Sequence, residues 1–343
     1  PVFAGQPLLI DRYFNGKEVE VDVISDGQNV IIPGIMEHIE RAGIHSGDSM
    51  CVWPPQTLDK KVCDLIVEYA TRVARAIKAK GLINIQFVVD RENDVYVIEV
   101  NPRASRTVPF ISKITGVPVI KLAMQAIMGG SLADCGFALG LQPHNRHVAV
   151  KAPVFSFQKL RDLDIELGPE MKSTGEVMGI SGDFPNALRK AMVAAGMPVP
   201  TREQCVGRSL LATVADIDKP EAVEQIRQFA ALGFNVFSTA GTTKFLKESG
   251  IPATAVNKLS EGRPHIVDHI LNGKFDLIIN TVSENQKAEA EGRLIRRAAV
   301  EHNVPIITSL DTAGALLTAI MQSTGKVSIT ELGEVGLALA EAP

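Results

Sequence analysis

Gln86, Glu99 and Asn101, with Asn84, are the residues whose types and spacing could do chemistry first. They lie on two segments, 83–90 and 95–101, whose alternation of apolar and polar residues predicts strands. With the turn Arg91-Glu92-Asn93-Asp94 between them and Asp90 facing Val95, Val88 pairs with Val97, Gln86 with Glu99 and Asn84 with Asn101. Directly opposed side chains in such a ladder stand about 4.5–5.5 Å apart at Cβ. One face then carries Ile85, Phe87, Val89, Tyr96, Ile98 and Val100. The other gathers an acid and amides, oxygen donors that suit a hard divalent cation such as Mg²⁺. Arg103 and Arg106 follow at once, and guanidinium forks match carboxylate and phosphate. A hairpin with one solvated face would alternate in the same way, although such faces more often carry Lys, Thr and Ser.

Two further clusters stand out. In Glu37–Ser49, Gly43 and Gly47 bracket His45 and Ser46 and give the backbone freedom for close approach to a ligand. An ordinary loop would account for the same residues. Phe237-Ser-Thr-Ala-Gly-Thr-Thr-Lys244 follows a predicted strand and opens a helix, so its hydroxyls and helix N-terminus could hold an anion. A plain strand-to-helix turn with an N-cap would look alike. Lys258, the segment Glu261–His265 and Asn280 fall at the ends of other strands on the same predicted edge. His265 and His269 flank Asp268 and are read as a helix start rather than a metal pair.

Several elements must position these residues. Glu18–Ile24 alternates acid and apolar residues, predicting a half-buried strand with Glu18, Glu20 and Asp22 on one face. Residues 59–80 place Ile66, Ala70, Val73 and Ile77 at helical spacing, with Gly81 as the stop. This mixture is that of an α+β domain with an antiparallel sheet. The aperiodic, proline-containing segment 194–207 marks the linker, giving domains at 1–197 and 208–343 around a linker at 198–207. Beyond it, strands at 209–214, 234–238, 252–256, 276–280 and 304–308 alternate with helices near 219–232, 264–271, 287–302 and 311–321. That rhythm is α/β, a doubly wound parallel sheet with helices on both faces. Pro7–Asp11 reads as a strand, and a chain that opens on proline inside a domain suggests a piece of a longer polypeptide.

Composition narrows the class. A length of 343 residues suits two domains, and 45% hydrophobic against 22% charged residues is ordinary globular usage. A net charge of −4 with no basic blocks argues against nucleic acid as a partner. No apolar run reaches the roughly 18 residues of a membrane span. Cys51, Cys63, Cys135 and Cys205 form no C-x-x-C pair and read as thiols of a reducing, cytoplasmic compartment.

Glu37–Ser49 together with Val97–Pro109 resembles the C-terminal, ATP-grasp half of the carbamoyl phosphate synthetase large subunit. Leu167–Met178 resembles the end of the same domain. The resemblance implies that Gln86, Glu99 and Asn101 hold Mg²⁺ or Mn²⁺, with Gln86 and Glu99 also in the nucleotide site. It implies that Arg103 and Arg106 hold carbamate and the phosphoryl group in transit, and that Glu18, Gly43, Ile44, His45 and Ser46 meet ATP. Arg12 and Phe14 would meet the adenine. The implied reaction is phosphorylation of carbamate by MgATP, for pyrimidine and arginine biosynthesis, with a glutaminase small subunit and the rest of the large subunit as partners. The C-terminal part resembles the methylglyoxal-synthase-like domain of the same family, which implies that Lys219, Thr239, Thr242, Lys258 and Asn280 contact a nucleotide or similar allosteric effector.

Departures from the family shape the expectation. ATP-grasp enzymes also carry a lobe with a glycine-rich loop over the phosphates, and none precedes residue 12. One wall of an ATP site is therefore expected here, incomplete and inactive by itself. Asn280–Gln286 lacks the Gly-Gly-Asp of a true methylglyoxal synthase, which implies binding without chemistry, and Val282 stands where some relatives have threonine. The rival reading is a non-catalytic module that binds nucleotide effectors and acts on a separate catalytic chain.

Overall fold

The computed structural model describes residues 10, 12–144, 147–160, 163–326 and 329, so the strand expected over Pro7–Asp11 lies, all but Ile10, outside the described residues. Among the described residues nine strands form the first sheet: β1 (Lys17–Asp26), β2 (Val30–Ile32), β3 (Ile35–Arg41), β4 (Cys51–Trp53), β5 (Lys80–Val89), β6 (Val95–Asn101), β7 (Gly140–Leu141), β8 (Val148–Val154) and β9 (Gly175–Ser181). They run in the order β6-β5-β1-β3-β4-β8-β9, with β2 beside β1 and β7 beside β2. Every pair is antiparallel except β2 with β7.

Strand β1 departs from the half-buried expectation. Val19, Val21 and Val23 pack against Ile66, Ala70 and Ala74 of helix α1 (Lys60–Ala76). The opposite face is covered too, leaving Glu18, Glu20 and Asp22 only 5%, 2% and 1% exposed. Helix α1 starts on Asp59, whose carboxylate caps Val62 N. It ends at Ala76, before Gly81, because Lys78 adopts a left-handed φ of 51°; Gly81 instead lies inside β5.

The hairpin register is as expected at the polar end and differs near the turn. Val89 pairs with Val95, Val88 with Tyr96 and Phe87 with Val97, so the loop has five residues. Asp90 Oδ1 closes it by accepting from Glu92 N and Asp94 N at 3.0 and 2.9 Å. A bulge between Gln86 and Phe87 then restores the pairing of Gln86 with Glu99 and of Asn84 with Asn101. The bulge moves Ile98 off the apolar face: it is 51% exposed and lines a cleft beside Glu99.

Helices α2 (Val108–Thr115), α3 (Val119–Ile127) and α4 (Phe184–Ala194) cover the sheet, and a one-turn helix α5 (Arg202–Cys205) sits inside the expected linker. The second sheet holds β10 (Ser209–Thr213), β11 (Asn235–Thr239), β12 (Thr254–Val256), β13 (Leu277–Asn280) and β14 (Ile306–Ile307), all parallel, in the order β12-β11-β10-β13-β14. Helices α6 (Lys219–Ala231), α7 (Ala240–Glu248), α8 (Ile266–Leu271), α9 (Gln286–Glu301) and α10 (Leu310–Gln322) complete it. His265 caps α8 in reciprocal bonds with Asp268, the helix start that its spacing suggested. The two parts share one core, in which Val52, Val150 and Leu188 pack with Leu210, Phe229 and Leu316. Among the described residues no single helix is long and apolar enough to cross a membrane.

Candidate functional site

Antiparallel pairing brings Glu20, Gln86 and Glu99 into one row across β1, β5 and β6, with Asp22, Asn84 and Asn101 in the next. The row faces a cleft of about 490 Å³. Nine sequence-expected residues line it: Glu18, Gly43, Ile44, His45, Ser46, Gln86, Glu99, Arg103 and Arg106. Asn101 is half-buried beside that lining, opposite Asn84, and its amide nitrogen has no hydrogen-bond partner among the described residues. Arg12 and Phe14 are not among the cleft's lining residues. The Arg12 guanidinium lies 4.9 Å over the Phe14 ring, which stacks on Tyr96 at 4.2 Å, towards the turn end of the hairpin.

The loop after β3 is held from several sides. Gly43 has φ of 109°, which only glycine adopts without strain. A Cβ on Gly47 would stand 3.1 Å from Met171 Sδ and 3.2 Å from both Arg106 Nη1 and His45 Nδ1. His45 N donates to Gly168 O at 2.7 Å, Gln86 Nε2 to Ser46 Oγ at 3.2 Å, and Gly47 N to His45 Nδ1 at 3.0 Å. Asp48, almost fully buried, accepts from Lys172 N and Ser173 N at 2.8 Å each.

Sequence reasoning did not assign roles to Lys151, Glu176 or Asp22. Lys151 is fully buried in β8 and donates to Ser46 O at 3.0 Å, with Glu176 at 3.7 Å. A lysine inside the apolar run Val148–Val154 was the available signal. Glu176 also lies 3.6 Å from Arg106 Nε, and Arg106 donates to Ser173 Oγ at 3.0 Å. Asp22 ties down the arginine turn: it accepts from Ser105 at 2.8 Å, Thr107 at 3.1 Å and Asn84 at 3.1 Å.

Negative charge is crowded here. Burial, then the charges of Glu20 and Glu99, push Glu18 up to about 7. Burial pushes Glu20 up to about 7 and raises Asp22 as well. Burial opposes the charge on Lys151, but Cys51, Glu20 and Glu176 hold its pKa above the usual lysine value. A site with this excess of carboxylate and oxygen donors has the chemistry to take a divalent cation beside Gln86 and Glu99. Glu20, His38 and Cys51 also bring ligand atoms within 4.8 Å of one another. The Lys151 ammonium acts on all three and disfavours a second cation there.

In the second domain, Thr239 and Thr242 sit at the start of α7, and Lys219 Nζ stands 4.0 Å from where a Gly241 Cβ would be. Lys219 pairs with Asp216, whose carboxyl it lowers together with the more distant Lys258. Asn280 is buried at the end of β13, with Nδ2 donating to Thr213 Oγ1 at 2.8 Å and Oδ1 accepting from Arg296 at 2.9 Å.

Residues 1–135 match the family model for the carbamoyl-phosphate synthase L chain, ATP binding domain, and residues 221–308 match that for the MGS-like domain. The chain is similar to the large chains of carbamoyl phosphate synthases. It is 48% identical over 330 residues to the carbamoyl phosphate synthase large chain of Lachnoclostridium phytofermentans and, over the same length, to that of Agathobacter rectalis. Each match covers 96% of this chain and 30% of the relative, so the chain spans under a third of the length of these carbamoyl phosphate synthase large chains. Among solved structures, the biotin carboxylase domain of a single-chain bacterial carboxylase aligns with TM-score 0.42 and 18% identity, covering 57% of this chain and 48% of that one. A part that matches the carbamoyl-phosphate synthase L chain ATP binding domain, on a mainly antiparallel sheet, and an MGS-like part, on a parallel sheet, make up the fold.

Proposed function

We propose that this chain is a segment of an ATP-dependent ligase that phosphorylates carbamate with MgATP to give carbamoyl phosphate and ADP, serving pyrimidine and arginine biosynthesis. The observation that carries the reading is the directly opposed Gln86–Glu99 pair in one cleft with Arg103, Arg106 and the Gly43–Ser46 loop. No protein nucleophile is needed, because the carbamate oxygen attacks the γ-phosphorus itself. Catalysis is then positioning and neutralisation of charge on the phosphoryl oxygens. Gln86, Glu99 and Asn101 would hold Mg²⁺ or Mn²⁺, which supplies positive charge at the β- and γ-phosphates. Arg103 and Arg106 orient the acceptor and the phosphoryl group. Asp22 holds the turn that carries both arginines, and Lys151 and Gln86 hold Ser46 against the nucleotide.

The rest of the large subunit is the proposed source of the glycine-rich lobe, with the glutaminase small subunit supplying ammonia. The second domain is proposed to bind an allosteric nucleotide or similar effector at Lys219, Thr239, Thr242, Lys258 and Asn280. Glu99→Gln tests the active-site reading in the enzyme assembled with the remainder of the large chain. ATP turnover should fall at least about a hundredfold, as for loss of one strong electrostatic group, with an unchanged melting temperature. Turnover near wild type would refute the assignment. Carbamate-dependent ATPase activity of this chain alone would overturn the view that it is incomplete.

A further inference from the structure

We propose that Arg296 is a positioning residue that couples Asn280 of the second domain to the Gly43–Ser49 loop of the first. This rests on the reading of those two sites given above. Arg296 is 1% exposed, and its guanidinium joins groups from both domains. Nε and Nη2 donate to the two oxygens of Asp164 at 2.7 and 2.6 Å, a bidentate fork across the domain boundary. Nη1 donates to Asn280 Oδ1 at 2.9 Å, and Nη2 also reaches Glu289.

Both ends of the Asn280 amide are therefore engaged, one by Arg296 and the other by Thr213. Each of these atoms keeps capacity for a second bond, so a ligand that bonds to Asn280 either shares them or displaces a partner. Displacement at Oδ1 frees one arm of Arg296 and changes how firmly the guanidinium holds Asp164. Asp164 stands four residues before Gly168, whose carbonyl accepts from His45 N at 2.7 Å. Farther along the same segment, Lys172 N and Ser173 N donate to Asp48 at 2.8 Å each, while Pro169 and Met171 form part of the cleft wall. Residues 164–173 and the loop 43–49 thus form one bonded unit, anchored at its far end by Arg296. A ligand biases such a unit only through contacts that differ between its states, and the Asn280–Arg296 bond is a contact of that kind.

Hydrogen exchange on the full chain, with AMP, GMP, CMP and UMP added in turn, tests the coupling. In the wild type, the mononucleotide that slows exchange at 239–244 also changes exchange at 43–49. Asp164→Asn removes the carboxylate charge, and Arg296→Lys keeps a cation in place while removing the fork. In both variants the response at 239–244 should persist, while that at 43–49 falls at least about fivefold, the low end of ordinary allosteric couplings. A wild type that responds at 239–244 but not at 43–49, or an undiminished response at 43–49 in both variants, overturns the proposal alone. A wild type that responds to no mononucleotide at 239–244 overturns the reading of the second domain, and the proposal with it.

Discussion

The ammonium of Lys151, wholly enclosed in β8, donates to the backbone carbonyl of Ser46 at 3.0 Å and so fastens the loop after β3 to the middle of that strand. Its charge also offsets the carboxyl groups of Glu20 and Glu176. Lys151→Met keeps the aliphatic volume and removes that cation, leaving buried acids without compensation. Breaking a buried pair in this way costs about 3 kcal/mol or more. Denaturant titration should show that loss, and titration with MgADP should show weakened nucleotide binding. Unchanged values in both experiments would show that the loop is held by other contacts.

Glu40 gives the chain a distinctive dependence on pH. It is 2% exposed, and burial pushes its pKa from 4.5 up to about 7 despite bonds from Thr312 Oγ1 at 2.9 Å and Met50 N at 2.7 Å. Between those two values the unfolded chain loses the proton while the folded chain keeps it. Stability therefore falls as pH rises from about 4.5 through 7 and then levels off. Glu18 and Glu20 act in the same direction. Glu40→Gln can accept from Met50 N and donate to Thr312, so it should flatten the fall by on the order of 3 kcal/mol. Urea midpoints at pH 5 and pH 8 measure the slope; an equal slope in the variant argues against Glu40 as its source.

The hairpin and the burial of its neighbours show what was legible in the sequence. Gln86 opposite Glu99 was readable because a period-two pattern fixes which residues share a face. The five-residue loop was not, since it depends on Asp90 bonding to Glu92 and Asp94, and the bulge that corrects it turns Ile98 into the cleft. Burial of Glu18 and Asp22 was likewise hidden. The cover over that face includes Ser105 and Thr107, which bond to Asp22, and Met171 in the cleft wall. These lie roughly eighty to a hundred and fifty residues away along the chain, and a local pattern carries no information about them. The role of Lys151 needed the β4–β8 pairing, which is equally non-local.

Arg41 joins the two domains on another side. Its backbone N, Nε and Nη2 donate to the Asp311 carboxylate at 3.0, 2.8 and 2.8 Å, and the guanidinium also meets Glu221. The side chain is 38% exposed, so screening reduces the pair to about 1–2 kcal/mol. Asp311→Ala should lower stability by that amount and increase proteolysis near Arg41, with the difference from wild type shrinking at high salt. A salt-independent loss would show that the ion pair with Arg41 is not its source.

Gly47 offers a probe of the cleft that leaves the core alone. A Cβ there meets Met171 Sδ, Arg106 Nη1 and His45 Nδ1 at 3.1–3.2 Å, all of them side-chain atoms able to give by a few tenths of an ångström. Gly34 is the contrasting case, since its Cβ would lie 2.2 Å from Trp53 Nε1 in a buried ring. Gly34→Ala should therefore destabilise the fold outright, by about 1–3 kcal/mol as overpacking does. Gly47→Ala should leave the melting temperature nearly unchanged and weaken MgADP binding about tenfold, because it displaces Arg106 and His45 from the positions that the loop sets. Calorimetry of both variants with and without MgADP separates the effects. If Gly47→Ala instead lost stability and kept its affinity, the loop would be structural rather than part of the nucleotide site.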